Sequence, residues 1–160
     1  GEARRWLTEG LHEVAAFAGQ AGVVPCLEPE PGMLIETLDD FAALAVEGLK
    51  LALDTGHCLV TGERDPAEAV REFADRIGTV AIEDMKRGSH IHLPFGEGDM
   101  DVPGVLGALE DIGFGKLVCV ELSRESHRAD VMIPQALEYL RGCRRPGPEL
   151  AGEQETRRQW

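Results

Sequence analysis

The sequence predicts an α/β domain in which helices cover a parallel sheet. Four short apolar runs, VVPCLE (23–28), LKLALD (49–54), TVAIED (79–84) and KLVCVE (116–121), alternate with segments whose apolar residues recur at helical spacing. Strands that apolar, separated by helices, belong to a parallel sheet buried on both faces. A further pattern concerns chemistry. The strands read from these runs end at Glu28, Asp54, Glu83 and Glu121, a carboxylate each time. In parallel α/β folds the C-terminal strand ends converge on the ligand site. Four acids gathered there repel one another and raise one another's pKa unless a cation sits among them.

From Arg4 to Ala18 the apolar residues Leu7, Leu11, Val14, Ala15 and Ala18 keep helical period, and Gly19 and Gly22 end the helix. The first apolar run follows as a buried strand. Thr37 with Asp40 resembles a capping box and opens a helix through Phe41, Leu44 and Ala45. After the second run, Asp65-Pro66-Ala67-Glu68 places an N-cap, a first-turn proline and an acid in order, so a helix runs to about Arg76. The third run leads into a long loop, EDMKRGSHIHLPFGEG (83–98). Asp101 caps a helix over Val105, Leu106 and Leu109 that Gly113 ends. A last helix, about Ala129 to Arg141, follows the fourth run. The order is α-β-α-β-α-β-α-β-α, one domain over residues 1–141, while residues 142–160 lose periodicity and read as a disordered tail.

A formal charge of −13 disfavours a nucleic-acid partner, because phosphate binding usually needs a basic surface. No apolar run approaches the roughly 18–20 residues of a membrane span. Cys26, Cys58, Cys119 and Cys143 contain no CxxC pair. Cys26 and Cys119 sit inside apolar runs and read as buried, reduced thiols, which suggests the cytoplasm. Opening on Gly1 directly in a helical pattern, the sequence reads as a fragment, so the absence of a signal peptide means little.

Two segments carry candidate ligands besides the strand-end acids. DTGH places His57 three residues after Asp54, across a Gly-containing turn, where a carboxylate and an imidazole can reach one ion or two adjacent ones. Alternatively Asp54 caps the turn and His57 is an exposed loop residue. In HIH, extended geometry points His90 and His92 to one side while Ile91 and Leu93 anchor the other. The plainer alternative is a partly exposed strand with solvated histidines. His12, on a helix far from any strand end, and His127 read as surface residues. Mixed carboxylate and imidazole donors suit Mn²⁺, Zn²⁺, Fe²⁺ or Co²⁺ better than Ca²⁺, with Mg²⁺ also kept open.

LEPEPG (27–32), LDTGH (53–57), HLPFGEGDMD (92–101) and VELS (120–123) resemble the C-terminal half of the xylose isomerase-like TIM barrels, the sugar phosphate isomerase/epimerase superfamily that includes type IV apurinic endonucleases. The resemblance covers about residues 5–141. It implies a (β/α)8 TIM barrel of which this chain supplies strands five to eight. It also implies that Glu28, Asp54 and Glu121 hold a divalent metal, with His57 contacting substrate as in the epimerases or a second zinc as in the endonucleases. The strand-seven histidine of the family pattern falls at Ala81, which ligates nothing. Glu83, pointing the same way two residues on, is one replacement; His90 and His92 are the others. His92 matches the histidine before the Gly-Glu-Gly of the endonuclease pattern, where His90 stands in place of an Asp.

The resemblance implies an isomerase or epimerase acting on a small sugar or sugar phosphate. Proton abstraction next to a carbonyl would give an enediolate that the metal stabilises. Glu28 and Glu121 resemble its acid/base pair, and His57 and Arg87 would orient hydroxyls or a phosphate, Arg87 having a solvated loop cation as its alternative. Two competing expectations are metal-dependent phosphodiester hydrolysis and a non-catalytic metal- or sugar-binding half-barrel. Four parallel strands leave two sheet edges open, so this piece is expected to dimerise or to need an N-terminal half-barrel.

Overall fold

A computed structural model describes residues 1–143. Helix α1 (Glu2–Gln20) leads to strand β1 (Cys26–Leu27), then α2 (Leu38–Ala42), β2 (Lys50–Asp54), α3 (Thr55–Thr61), α4 (Pro66–Glu72), β3 (Ile77–Ile82), β4 (Asp84–Lys86), β5 (Ser89–Leu93), α5 (Val102–Asp111) and β6 (Val118–Val120). A 3-10 turn (Ser123–Arg128) and α6 (Ala129–Cys143) follow. Strands β1, β2, β3 and β6 pair in that order and every pair is parallel. With helices on their outer side they form a partial β/α barrel. Among the described residues no helix is long and apolar enough to cross a membrane. Of the predicted tail, Gly142 and Cys143 continue α6, and 144–160 lie outside the described residues.

Strand alternation separates two faces. Leu51, Leu53, Val80 and Ile82 point outward and are at most 1 % exposed beneath the helices. They join Leu38, Phe41, Leu59, Val70, Val102 and Val105 in one apolar core. The residues between them, Ala52 and Asp54 on β2 and Thr79 and Ala81 on β3, line the concave face. Pairing sets Asp54 opposite Ala81, and Ala81 opposite Cys119. Both cysteines expected to be buried, Cys26 and Cys119, are exposed. They lie on the two outermost strands, at alternate positions to the outward-facing residues, where no helix covers them.

The helix starts follow their caps. Thr37 and Asp40 form the reciprocal capping box of α2, Asp65 accepts from Ala67 and Glu68 ahead of Pro66 in α4, and Asp101 accepts from Gly104 in α5. The predicted ends were too long in two places. Helix α2 stops at Ala42, because Ala45 turns back at φ 51°. Helix α4 stops at Glu72, where Phe73 caps it and Arg76 already turns into β3 with fully buried Ile77. The Gly-containing turn expected after Asp54 is the helix α3, and the long loop after the third strand contains the antiparallel hairpin β4–β5. Both are too short for periodicity to reveal. Lys86 pairs with Ser89 across the two-residue turn Arg87–Gly88, which the N–H of Gly88 ties to the carbonyl of Leu59 on α3.

A candidate metal centre at the strand ends

Two carboxylates form the floor of the concave face. Asp54 ends β2 and caps α3: its Oδ1 accepts the backbone N–H of His57 at 3.0 Å. That bond leaves Oδ2 buried without a hydrogen-bond partner. Glu83, just past β3, is 0 % exposed, and neither of its oxygens has a partner. It fits only because residue 56 is glycine, since a Cβ there would collide with Glu83 Oε1 and crowd the Met85 sulfur. Burial first, then the neighbouring Asp54 carboxylate, pushes Glu83 up to about 10 from an ordinary 4.5. Three orphaned oxygens on two buried acids are costly unless a proton or a cation compensates them. Glu28, half-exposed after β1, is raised in the same direction by burial and then by Asp54. Glu121, after β6, acts on both Glu28 and Glu83 through its charge.

Imidazoles form the rim. His57 is 5 % exposed, so it is not the solvated loop residue that sequence alone allowed. Its Nδ1 lies 2.9 Å from the carbonyl of Pro29. A carbonyl only accepts, so Nδ1–H donates to it and Nε2 is left facing the cluster. That atom faces Asp54 Oδ2 at 3.5 Å, Glu30 Oε2 at 3.6 Å and His90 Nε2 at 3.2 Å. Glu30 Oε1 is 3.7 Å from His90 Nε2. Donor atoms on a tetrahedral ion with bonds of about 2.0–2.1 Å stand roughly 3.3 Å apart. Glu30, His57 and His90 therefore have the mutual spacing of a ligand set, as do Glu28, Asp54 and His57.

His90 and His92 share one side of β5, with ring centroids 5.6 Å apart. His92 Nδ1 is buried without a partner. Ile91, expected as an apolar anchor, is 40 % exposed. What anchors the hairpin is Asp84, 1 % exposed, whose carboxylate accepts from Gly96 at 2.8 Å and Met100 at 3.0 Å. The Gly-Glu-Gly loop can wrap it because a Cβ at residue 98 would strike that carboxylate. Arg87 stands apart from the cluster. It occupies the exposed hairpin turn, its N–H donating to Asp99, and its side chain makes no ion pair among the described residues. His12 and His127 are exposed, as expected.

Glu30 is the residue that sequence reading missed. In the segment Glu28-Pro29-Glu30 an extended backbone puts both acids on one side, the same alternation that picked out His90 and His92.

The sequence profile described as xylose isomerase-like TIM barrel matches residues 1–143. No curated protein sequence matches the chain. Among solved structures, an L-ribulose 3-epimerase superposes with a TM-score of 0.68 at 24 % identity over 85 % of this chain and 53 % of that one. The IolI protein, crystallised with a zinc atom, gives 0.66 at 22 % over 88 % and 54 %. The probable 3-DHS dehydratase AsbF of Bacillus anthracis gives 0.73 at 16 % over 84 % and 55 %. At these identities the likeness is one of fold, and the chain spans about half the length of the structures it matches.

Proposed function

The chain belongs to the xylose isomerase-like TIM-barrel family, and on that premise we propose that it supplies the metal-binding half of a sugar or sugar phosphate isomerase or epimerase. The observation that carries this is the pair of buried acids, Asp54 and Glu83, whose three unpartnered oxygens lie at the ends of adjacent strands. A bound divalent ion there would polarise a carbonyl and the adjacent hydroxyl of a polyol substrate. The zinc of IolI and the epimerase activity named for the L-ribulose enzyme support the same assignment.

In this proposal Glu28 and Glu121 flank the floor and move a proton between neighbouring carbons. Burial and the Asp54 charge raise Glu28 toward neutrality, the direction a general base needs. His57, its tautomer held by the Pro29 carbonyl, orients a hydroxyl at the rim. Arg87, at the hairpin turn, reaches only a substrate group extending to the rim, such as a phosphate. The sheet has two edge strands, β1 and β6, so the working unit closes them with a second copy or with a further half-barrel.

The test is solvent exchange. Metal-loaded protein incubated with a panel of ketoses in D₂O should place deuterium on the carbon next to the carbonyl, read by NMR. Retention of protium across the panel contradicts the proposal. The facing imidazoles of His57 and His90 favour one second reading, metal-dependent phosphodiester hydrolysis, which the net charge of −13 opposes. Cleavage of an abasic-site duplex without sugar exchange would select it.

A further inference from the structure

We propose that the cavity between the loop after β5 and helix α6 binds a small methylated ammonium ion, a trimethylammonium head group. The cavity shares no residue with the strand-end site, and the proposal does not depend on the metal-dependent assignment above.

The cavity measures about 210 Å³. That is below the roughly 300 Å³ at which pockets for drug-sized ligands begin, so it takes a head group and not a large cofactor. Phe95 and Tyr139 line it, their rings stacked 14° from parallel with centroids 5.3 Å apart. Leu122 and Met132 add apolar wall, and Glu97 and Gln135 add polar groups. The loop side is built in advance. The Glu97 N–H closes a turn on the Pro94 carbonyl at 3.1 Å, and the Gly96 N–H donates to Asp84 at 2.8 Å. Gly96, at φ 90°, brings its backbone against the Tyr139 ring, where a Cβ would stand 3.6 Å away.

Charge and wall chemistry select the ligand. No lysine, arginine or histidine lines the cavity. Arg128, whose guanidinium reaches the Met132 sulfur, is paired with Glu125 at 3.2 Å. Glu97 brings a carboxylate to the wall. Burial first, and then neighbouring groups that include Asp84 and Asp101, keep the Tyr139 phenol above its ordinary range. The field around the ring pair is therefore negative and repels an anion. A primary ammonium brings three N–H donors to a wall that is mostly carbon. A methylated ammonium donates none. Its methyl groups pack on the apolar wall while its charge meets the aromatic rings and Glu97.

The chain has one tyrosine, so the ring protons of Tyr139 report on the cavity by NMR. Choline should shift them saturably, and its uncharged carbon isostere 3,3-dimethylbutan-1-ol should bind about tenfold more weakly. Glu97→Gln, at an exposed side chain, should weaken choline binding severalfold, and Phe95→Leu by about tenfold. Circular dichroism checks that both variants fold. A trimethyllysine peptide separates the sources of the head group. Tighter binding than choline identifies a methylated side chain, and weaker binding identifies a free small molecule. Equal binding of choline and its isostere, no shift with choline, or choline binding unchanged in both variants overturns the proposal.

Discussion

The floor and the rim of the site lie a few ångströms apart yet are built on opposite principles. The floor is buried and crowded with acids: both oxygens of Glu83 and one of Asp54 have no hydrogen-bond partner among the described residues. The rim is more exposed and braced. His57 leans on a backbone carbonyl, the His90 side chain is 33 % exposed, and Glu30 is 38 % exposed. The floor therefore needs a proton or a cation among its buried acids, whereas the rim side chains also have backbone or solvent within reach. Stability and metal binding should oppose each other at the floor and be independent at the rim.

The largest change is expected at the residue common to both. Asp54→Ala removes the unpartnered floor oxygen that faces His57 and the cap of α3 together. Metal affinity should fall by more than the roughly 10–100-fold typical of supporting residues, and stability by about 1–2 kcal/mol for the lost cap. Isothermal titration and urea melts measure the two. Next is Asp84→Ala, which strands the N–H groups of Gly96 and Met100. A loss of about 2–4 kcal/mol in urea unfolding is expected. Because the hairpin carries His90, the imidazole rim should weaken for metal while the floor does not.

Glu83→Gln should give effects of opposite sign. In the metal-free fold Glu83 keeps its proton up to about pH 10, whereas in the unfolded chain it ionises near 4.5. The folded state then holds more protons, so stability falls as pH rises through that window. The metal-free variant should melt several degrees above the parent at pH 9 and close to it at pH 4. With metal bound, the parent should be the more stable. Equal melting temperatures at pH 9 would remove the contrast between floor and rim. The smallest effect is a control distant from both: Ala45→Gly, at φ 51°, should stabilise by up to about 1 kcal/mol and leave metal binding unchanged.

How far the sequence could be read divides along physical lines. Strands β2 and β3 were legible because Leu51, Leu53, Val80 and Ile82 face a covered core, and burial writes itself as apolar runs. The four strand-end acids were legible because any parallel sheet sends its C-terminal ends to one side. Caps at Thr37, Asp65 and Asp101 were legible because their chemistry is local. Helix α3 was hidden because seven residues hold too few turns to show a period. The exposure of Cys26 and Cys119 was hidden because an apolar run does not say which face a helix covers. Glu30 was missed although the alternation that revealed His90 and His92 also applied to it, and its partners lie 27 and 60 positions further along the chain (57 − 30 and 90 − 30).

The account depends most on a cation at the floor. Crystals of the protein soaked in Mn²⁺, with diffraction recorded above and below the manganese edge, locate such an ion directly. An anomalous peak at about 2.2 Å from Asp54 Oδ2 and a Glu83 oxygen is the predicted result. A featureless floor, with Glu83 hydrogen-bonded to Asp54 through a shared proton at neutral pH, would contradict it.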